Sequence, residues 1–256
     1  MSVSIANYSF GIAGFGFVGQ AVFGSVKKPD NVYILDKYKG IGSVERLEKC
    51  SVIFCCLPTV QKEDGNQCFS EYKEFLDYLV RDEYGGVLNI KSTVLYENIK
   101  PYIDKLNIVF NPEFLNQNSA IEDFSKQKIV ILGGRIDLAK KVQDVYENYF
   151  TLTDVEYEFC SLEEAIQIKY MHNIYHAYKV LFWNFAQQQT GNARKMSELY
   201  HKITDRNEMS KVGADGKLGY GGACFPKDVN AFNHVHPNEL TKFMRKYNLK
   251  LRGDEK

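Results

Sequence analysis

The chain is expected to be an α/β protein, with a doubly wound, mostly parallel sheet over residues 1–155. A long central helix and a small all-α domain follow over 156–256. Three features predict this. Short apolar runs recur through the first half: Tyr8–Ala13, Asn31–Leu35, Ser51–Leu57, Gly86–Ile90, Asn107–Phe110 and Lys128–Leu132. They show little polar alternation, as parallel strands covered on both faces do. Helical stretches, notably Ser70–Arg81, separate several of them. Beyond residue 160 the pattern changes to one long helical run.

The first strand ends in Gly14-Phe-Gly16-Phe-Val-Gly19, and the helix start Gln20–Phe23 follows at once. This is GxGxxG between strand and helix. Gly14 permits the tight turn, Gly16 lets the backbone approach a pyrophosphate, and Gly19 allows close helix–strand packing. Phe17 and Val18 complete the turn, and the helix N-terminus offers N–H groups to phosphate. The second strand ends in Asp36, 17 residues past Gly19, near the roughly 20-residue spacing of a carboxylate that binds the adenosine ribose. An acid there disfavours a 2′-phosphate. The expected cofactor is therefore NAD on a Rossmann sheet, with Gly14, Gly16, Phe17, Val18, Gly19 and Asp36 at its site.

Between Asp36 and Ser51 there is room for little helix, so that crossover is abbreviated or one strand pairs differently. Cys55 and Cys56 fall inside a strand and are expected to be small buried hydrophobes. All six cysteines lack CxxC pairing or a regular framework, which suits reduced thiols in a cytoplasm rather than disulfides or a zinc site.

Ser161 with Glu164 forms a capping box, and the helix runs from there to about Gln189 before Gly191. Ala165, Ile168, Tyr175 and Phe182 are expected to be mostly core. Lys169 and Asn173, four apart, share one face. His172 and His176 share an adjacent face, without a third residue that would make a metal site. A second helix is expected over Lys195–Thr204, then a loop, Ser210–Phe225, containing GYGGACFPKD at 219–228. Pro226 suits a first helical residue. Cys224 is then just ahead of a helix N-terminus, where the macrodipole favours a thiolate, with Lys227 adding positive charge. Glycines at 219, 221 and 222 let the backbone bend and expose the sulfur.

The 32 basic and 32 acidic residues cancel, which gives no electrostatic footprint for nucleic acid or an anionic membrane. No apolar run reaches the ~20 residues of a membrane helix. The N-terminal segment lacks a basic leader. Cytoplasmic location is the expectation.

Taken in order, GFGFVG at 14–19, KSTV at 91–94, NPEFL with SAIEDF across 111–124, the Lys169/Asn173 helix and GYGGACFPKD resemble the nucleotide-sugar 6-dehydrogenases, the family of UDP-glucose 6-dehydrogenase. The resemblance implies oxidation of a sugar primary alcohol to a carboxylate with two NAD⁺, on a nucleotide-sugar substrate. It implies Cys224 as the nucleophile. Lys169 and Asn173 would stabilise the oxyanion, and Asp228 would orient Lys169 or a water. Glu113 would be the base toward the hydrolytic water, with Thr93 in the same network.

Three departures accompany the resemblance. Gln117 stands where the family usually has a second glutamate. The segment after Asp36 is short. The chain stops soon after the cysteine motif, so the family's C-terminal UDP-binding domain is expected to be absent. A homodimer through the long helix is expected to cover its apolar side. Two other functions remain open: an NAD-binding module that has lost its substrate domain, and a one-step hydroxyacid dehydrogenase using Lys169 and Asn173.

Overall fold

A computed structural model describes residues 10–116, 118–204 and 216–253. The predicted strand start at Tyr8, Gln117 and residues 210–215 of the expected loop before the cysteine motif lie outside the described residues, as do 205–209. The chain divides into two compact units, one of 1–59 with 69–169 and one of 60–68 with 170–256.

The first unit is a seven-stranded sheet and its helices. In chain order these are β1 (Phe10–Ala13), α1 (Phe17–Gly24), β2 (Val32–Leu35), α2 (Val44–Leu47), β3 (Val52–Cys55), α3 (Ser70–Arg81), β4 (Val87–Ile90), α4 (Tyr96–Ile99), β5 (Asn107–Phe110), α5 (Ala120–Ser125), β6 (Ile129–Gly134), α6 (Ile136–Tyr149) and β7 (Glu156–Cys160). The strand order is β2-β1-β3-β4-β5-β6-β7. β1 through β5 pair in parallel. β1, β3 and β4 are buried along their whole length, as strands covered on both faces must be. The abbreviated crossover after Asp36 is α2, a single turn, and β2 and β3 flank β1 on opposite sides. The order therefore switches direction at β1, the position at which open α/β sheets bind their ligands.

The helix α6 turns Leu138, Ala139, Val142, Val145 and Tyr146 inward at 3.6-residue spacing. Its Tyr146 and the following Phe150 join Phe10 and Phe54 in an aromatic cluster with centroid separations of 4.9–5.6 Å.

The sheet departs from expectation at its far side. β6 runs antiparallel to β5, with Val109 opposite Gly134 and Phe110 opposite Gly133. The expected strand begins past the end of β5, where Asn111 Nδ2 donates to Ile131 O at 2.9 Å in place of a backbone partner. β7 has no signal in the sequence. It is an edge strand in which exposed Glu156, Glu158 and Phe159 leave no apolar run to detect.

The helix α7 (Leu162–Thr190) begins on the predicted box: Ser161 N donates to Glu164 Oε2 at 2.8 Å, and Glu164 N to Ser161 Oγ at 3.2 Å. The second unit contains α7 from Tyr170, α8 (Ala193–Thr204), α9 (Phe225–Val235), α10 (Glu239–Arg252) and the strap 60–68. Its core gathers Ile174, Ala177, Val180 and Leu181 of α7 with Tyr220, Val229 and Met244. The expected core face of α7 is only partly correct. Ala165 is buried, but Ile168, Tyr175 and Phe182 are 44%, 49% and 47% exposed, because the residues facing the core are offset around the helix from them. Among the described residues no helix is long and apolar enough to cross a membrane.

Candidate active site

The cofactor turn follows β1. Gly14 has φ +88°, and a Cβ there would lie 2.6 Å from Cys56 O; a Cβ on Gly19 would meet Gly14 O. Those two glycines are demanded by the backbone itself. Gly16 is different: its Cβ would enter open space. That opening lies at the N-cap of α1, where a pyrophosphate needs close backbone approach and helix N–H groups. Asp36, almost fully buried, ties β2 to this turn. Its Oδ2 accepts from Phe15 N at 2.8 Å and its Oδ1 from Tyr38 N and Lys39 N, each at 3.0 Å. A carboxylate has lone pairs for further donors, so ribose hydroxyls remain compatible. The glycine turn and Asp36 together fit a dinucleotide.

A second constellation belongs to the same unit. Glu113 and Lys169 form a buried ion pair, Nζ to Oε1 at 3.1 Å, and Lys169 Nζ also donates to Glu113 O at 2.6 Å. Glu113 Oε2 accepts from Leu115 N at 2.8 Å. Thr93 is buried just past the end of β4, and its carbonyl accepts from Thr59 Oγ1 at 3.0 Å.

The turn that carries Glu113 is anchored by residues to which the sequence reading gave no individual role. Lys91, 1% exposed, donates from Nζ to Asn111 Oδ1 at 2.9 Å and to Asn111 O at 3.3 Å, and lies 3.2 Å from Tyr146 OH. Its ammonium also lies 5.4 Å from the Phe124 ring centre. Burial lowers the Lys91 pKa from 10.5 to about 8, against opposing pulls from Cys56 and Glu113. Lys91 and Asn111 belong to the KSTV and NPEFL stretches, but nothing in those strings shows that this lysine is enclosed. Tyr146 carries no signal at all. Cys55 and Cys56 are buried as expected, and burial raises both thiols, Cys55 to about 12.

In the second unit, Cys224 is half-buried at the N-cap of α9, with Pro226 the second helical residue. Asp228, fully buried one turn on, accepts a short hydrogen bond from Asn173 Nδ2 and pairs with Lys227 Nζ at 2.6 Å. Asp228 N also donates to Cys224 O at 2.9 Å. His172 and His176 touch through their Nε2 atoms at 3.1 Å, and the His176 ring stacks on Phe225. Among the described residues, no three His, Cys, Asp or Glu side chains group to hold a metal. All six cysteines are thiols.

The structure thus brings Glu113 to Lys169, Asn173 to Asp228, and Asp36 to the glycine turn. Lys169 and Asn173 stand one turn apart on α7, which passes from the first unit to the second between Lys169 and Tyr170.

This fold and these pairings define a dehydrogenase-like dinucleotide-binding protein. Comparison with known proteins narrows it. The NAD binding domain of the UDP-glucose/GDP-mannose dehydrogenase family matches residues 36–150, and the central domain of the same family matches residues 163–248. The chain belongs to the UDP-glucose/GDP-mannose dehydrogenase family and carries its NAD-binding domain. It is 30% identical over 216 residues to UDP-glucose 6-dehydrogenase of Rickettsia bellii, covering 76% of this chain and 47% of the relative. It is 31% identical over 211 residues to GDP-mannose 6-dehydrogenase of Pseudomonas aeruginosa, covering 72% and 46%. The chain spans about half the length of the curated relatives it matches. Among solved structures, UDP-glucose dehydrogenase of Pyrobaculum islandicum superimposes with a TM-score of 0.74 at 19% identity, over 98% of this chain and 70% of that one.

Gly16 and Lys91 each give a measurable expectation. Gly16→Val places its side chain in open space, so the thermal midpoint stays within a few degrees of wild type while NAD affinity falls at least tenfold by calorimetry. Unchanged affinity would mean that the cofactor does not use this turn. For Lys91, the folded protein releases its proton near pH 8, but the unfolded chain holds it to about 10.5, so unfolding takes up protons across that window. The Lys91 contribution therefore destabilises fully below pH 8 and is relieved as pH rises to 10.5, by roughly 3 kcal/mol. Buried Cys and Tyr groups slope the other way. The quantity to measure is accordingly the urea stability of wild type minus that of Lys91→Met from pH 7 to 10.5, which is predicted to rise. A flat difference would show that Lys91 is not held in this way.

Proposed function

We propose that the protein takes part in the NAD-dependent oxidation of a nucleotide-sugar primary alcohol to the carboxylate, of the UDP-glucose to UDP-glucuronate type, with Cys224 as covalent nucleophile. The observation that carries this is the placement of Cys224 at the N-cap of an eleven-residue helix, one turn ahead of the Asn173–Asp228 pair. A helix N-terminus favours the thiolate over the thiol, and Lys227 adds positive charge to the same turn. Membership of the family, and the names of the relatives, supply the substrate class.

When bound at the glycine turn and Asp36, NAD⁺ would supply the hydride acceptor for two oxidations of the sugar carbon, each of which also releases a hydroxyl proton to water. The chain's residues do the rest. The Cys224 thiolate adds to the aldehyde carbon, and its sulfur holds the substrate as a thiohemiacetal. The second oxidation of that carbon leaves a thioester on Sγ. Water then adds to the carbonyl, the C–S bond breaks, and the carboxylate leaves as the thiolate is restored. Lys169, as an ammonium, and Asn173, as an amide donor, stabilise the oxyanion in each addition. Asp228 fixes the Asn173 amide, leaving one N–H of that group to face the substrate. Glu113 orients Lys169 and takes a proton from the attacking water, with Thr93 beside that water.

We also propose a homodimer through α7. Ile168, Met171, Tyr175, Tyr178 and Phe182, all 42–49% exposed, follow one another at alternating spacings of three and four. That is the a/d seam of a coiled coil, a stripe that water covers poorly and a second helix covers well.

Turnover tests the chemistry. Wild type with UDP-glucose, GDP-mannose and related sugars is expected to yield two NADH per sugar consumed, and Cys224→Ser to lose at least a thousandfold in rate. One NADH per substrate would point to a simple alcohol or hydroxyacid dehydrogenase. NAD binding without turnover on any sugar would instead identify a binding module. For assembly, sedimentation velocity at micromolar concentration should show a dimer that Tyr175→Asp dissociates. A wild-type monomer would remove the seam.

A further inference from the structure

The second unit holds a cavity of about 310 Å³ between the cysteine loop and α10. It is lined by Tyr220, Gly221 and Gly222 of the loop, Pro226 and Asn230 of α9, and Arg245, Asn248, Leu249 and Arg252 of α10. Its charged lining consists of two arginines and no acid. That imbalance needs explaining in a chain whose charges otherwise cancel.

The groups around the cavity divide into those that build it and those that face it. Asn248 builds it: its Oδ1 accepts from Tyr220 N at 2.7 Å and its Nδ2 donates to Tyr220 O at 3.1 Å, so the loop is fastened to α10 as if to a strand. Glycine makes the approach close. A Cβ on Gly219 would lie 2.5 Å from Asn248 Oδ1, and one on Gly221 would lie 2.7–3.0 Å from the Arg252 guanidinium. Arg252 Nη1 reaches Leu218 O at 3.4 Å across that glycine. Arg245 faces the cavity. It has no hydrogen bond or ion pair among the described residues, and its charge acts on the buried Tyr220 phenol. The Asn230 amide is likewise without a hydrogen-bond partner there. On the strap 60–68, Gly65 comes near Asn230 and Arg245, and the adjacent Asp64 is engaged with Asn66 through both backbone and side chain.

A half-buried guanidinium fork without a partner, an open amide and a second guanidinium at one concave site make a receptor for an oxyanion with more than one negative charge. The volume is at the small end of ligand pockets, enough for a phosphoryl or diphosphoryl group and too small for a whole dinucleotide. We propose that this cavity is an anion site for the phosphoryl group of a small molecule, separate from the glycine turn of the first unit. It does not depend on the chemistry assigned to Cys224.

The test is calorimetric titration with inorganic pyrophosphate, with NAD saturating so that the glycine turn is filled. Wild type is expected to bind with a dissociation constant of about a millimolar or tighter. Arg245→Gln should weaken this at least tenfold, Asn230→Ala by a smaller factor, and added salt should weaken wild type alone. Both variants alter half-buried side chains, and their thermal midpoints check that they fold. Parallel titrations with UDP and uridine separate the sources. Tighter binding of UDP than of pyrophosphate, again lost in Arg245→Gln, assigns the site to a nucleotide diphosphate; equal binding assigns it to phosphate itself. No saturable binding up to about 10 mM, or binding that ignores both substitutions, would overturn the proposal.

Discussion

A charge taken out of water must find a partner, and that requirement organises this protein. Each unit buries a carboxylate almost completely, Glu113 in one and Asp228 in the other. Each carboxylate takes hold of a side chain of α7, Lys169 in the first case and Asn173 in the second. Ion burial costs several kcal/mol, and removing one member of such a pair typically costs about 3–5 kcal/mol because the other is stranded. The pairs are therefore poor choices for stability alone. Each does fix one polar side chain of α7, an ammonium in the first unit and an amide in the second, and fixed donors are what the proposed oxyanion chemistry requires.

The same requirement acts a layer further out. Asn111 receives Lys91 and Tyr146 on one oxygen, and its own amide reaches the backbone of β6. This polar knot sits two residues ahead of Glu113. A lysine kept in such a place, with its proton affinity lowered by burial, sets the backbone from which Glu113 projects. The Lys169 ammonium is thus positioned by a chain of contacts that starts in the sheet's interior.

Much of this was legible in the sequence, for a physical reason in each case. Parallel strands announce themselves as unbroken apolar runs, so β1 through β5 were visible. The Ser161/Glu164 box marked the start of α7 because its hydrogen bonds are local. Gly14, Gly16 and Asp36 were readable since a turn and its spacing are local too. What failed was non-local. The antiparallel sense of β6 depends on where it meets β5, and β7 is an edge strand whose outward residues are polar. The exposed stripe Ile168–Tyr175–Phe182 looks like core in one dimension, because apolar residues facing solvent and apolar residues facing a core have the same letters. Lys91 shows the converse, a charged letter that turned out to be interior. The cavity beside Arg245 depends on α10 lying against a loop, which no spacing reveals.

Family membership, the glycine turn and the thiol at a helix N-terminus support the proposed function, whose central chemical claim is that the Cys224 sulfur becomes bonded to the substrate carbon during turnover. Peptide mass spectrometry of protein acid-quenched while turning over UDP-glucose with NAD⁺ measures this directly. An acyl adduct of the nucleotide sugar is expected on the peptide that contains Cys224 and on no other cysteine. Sustained NADH production with that peptide unmodified, or with the adduct on a different residue, would contradict it.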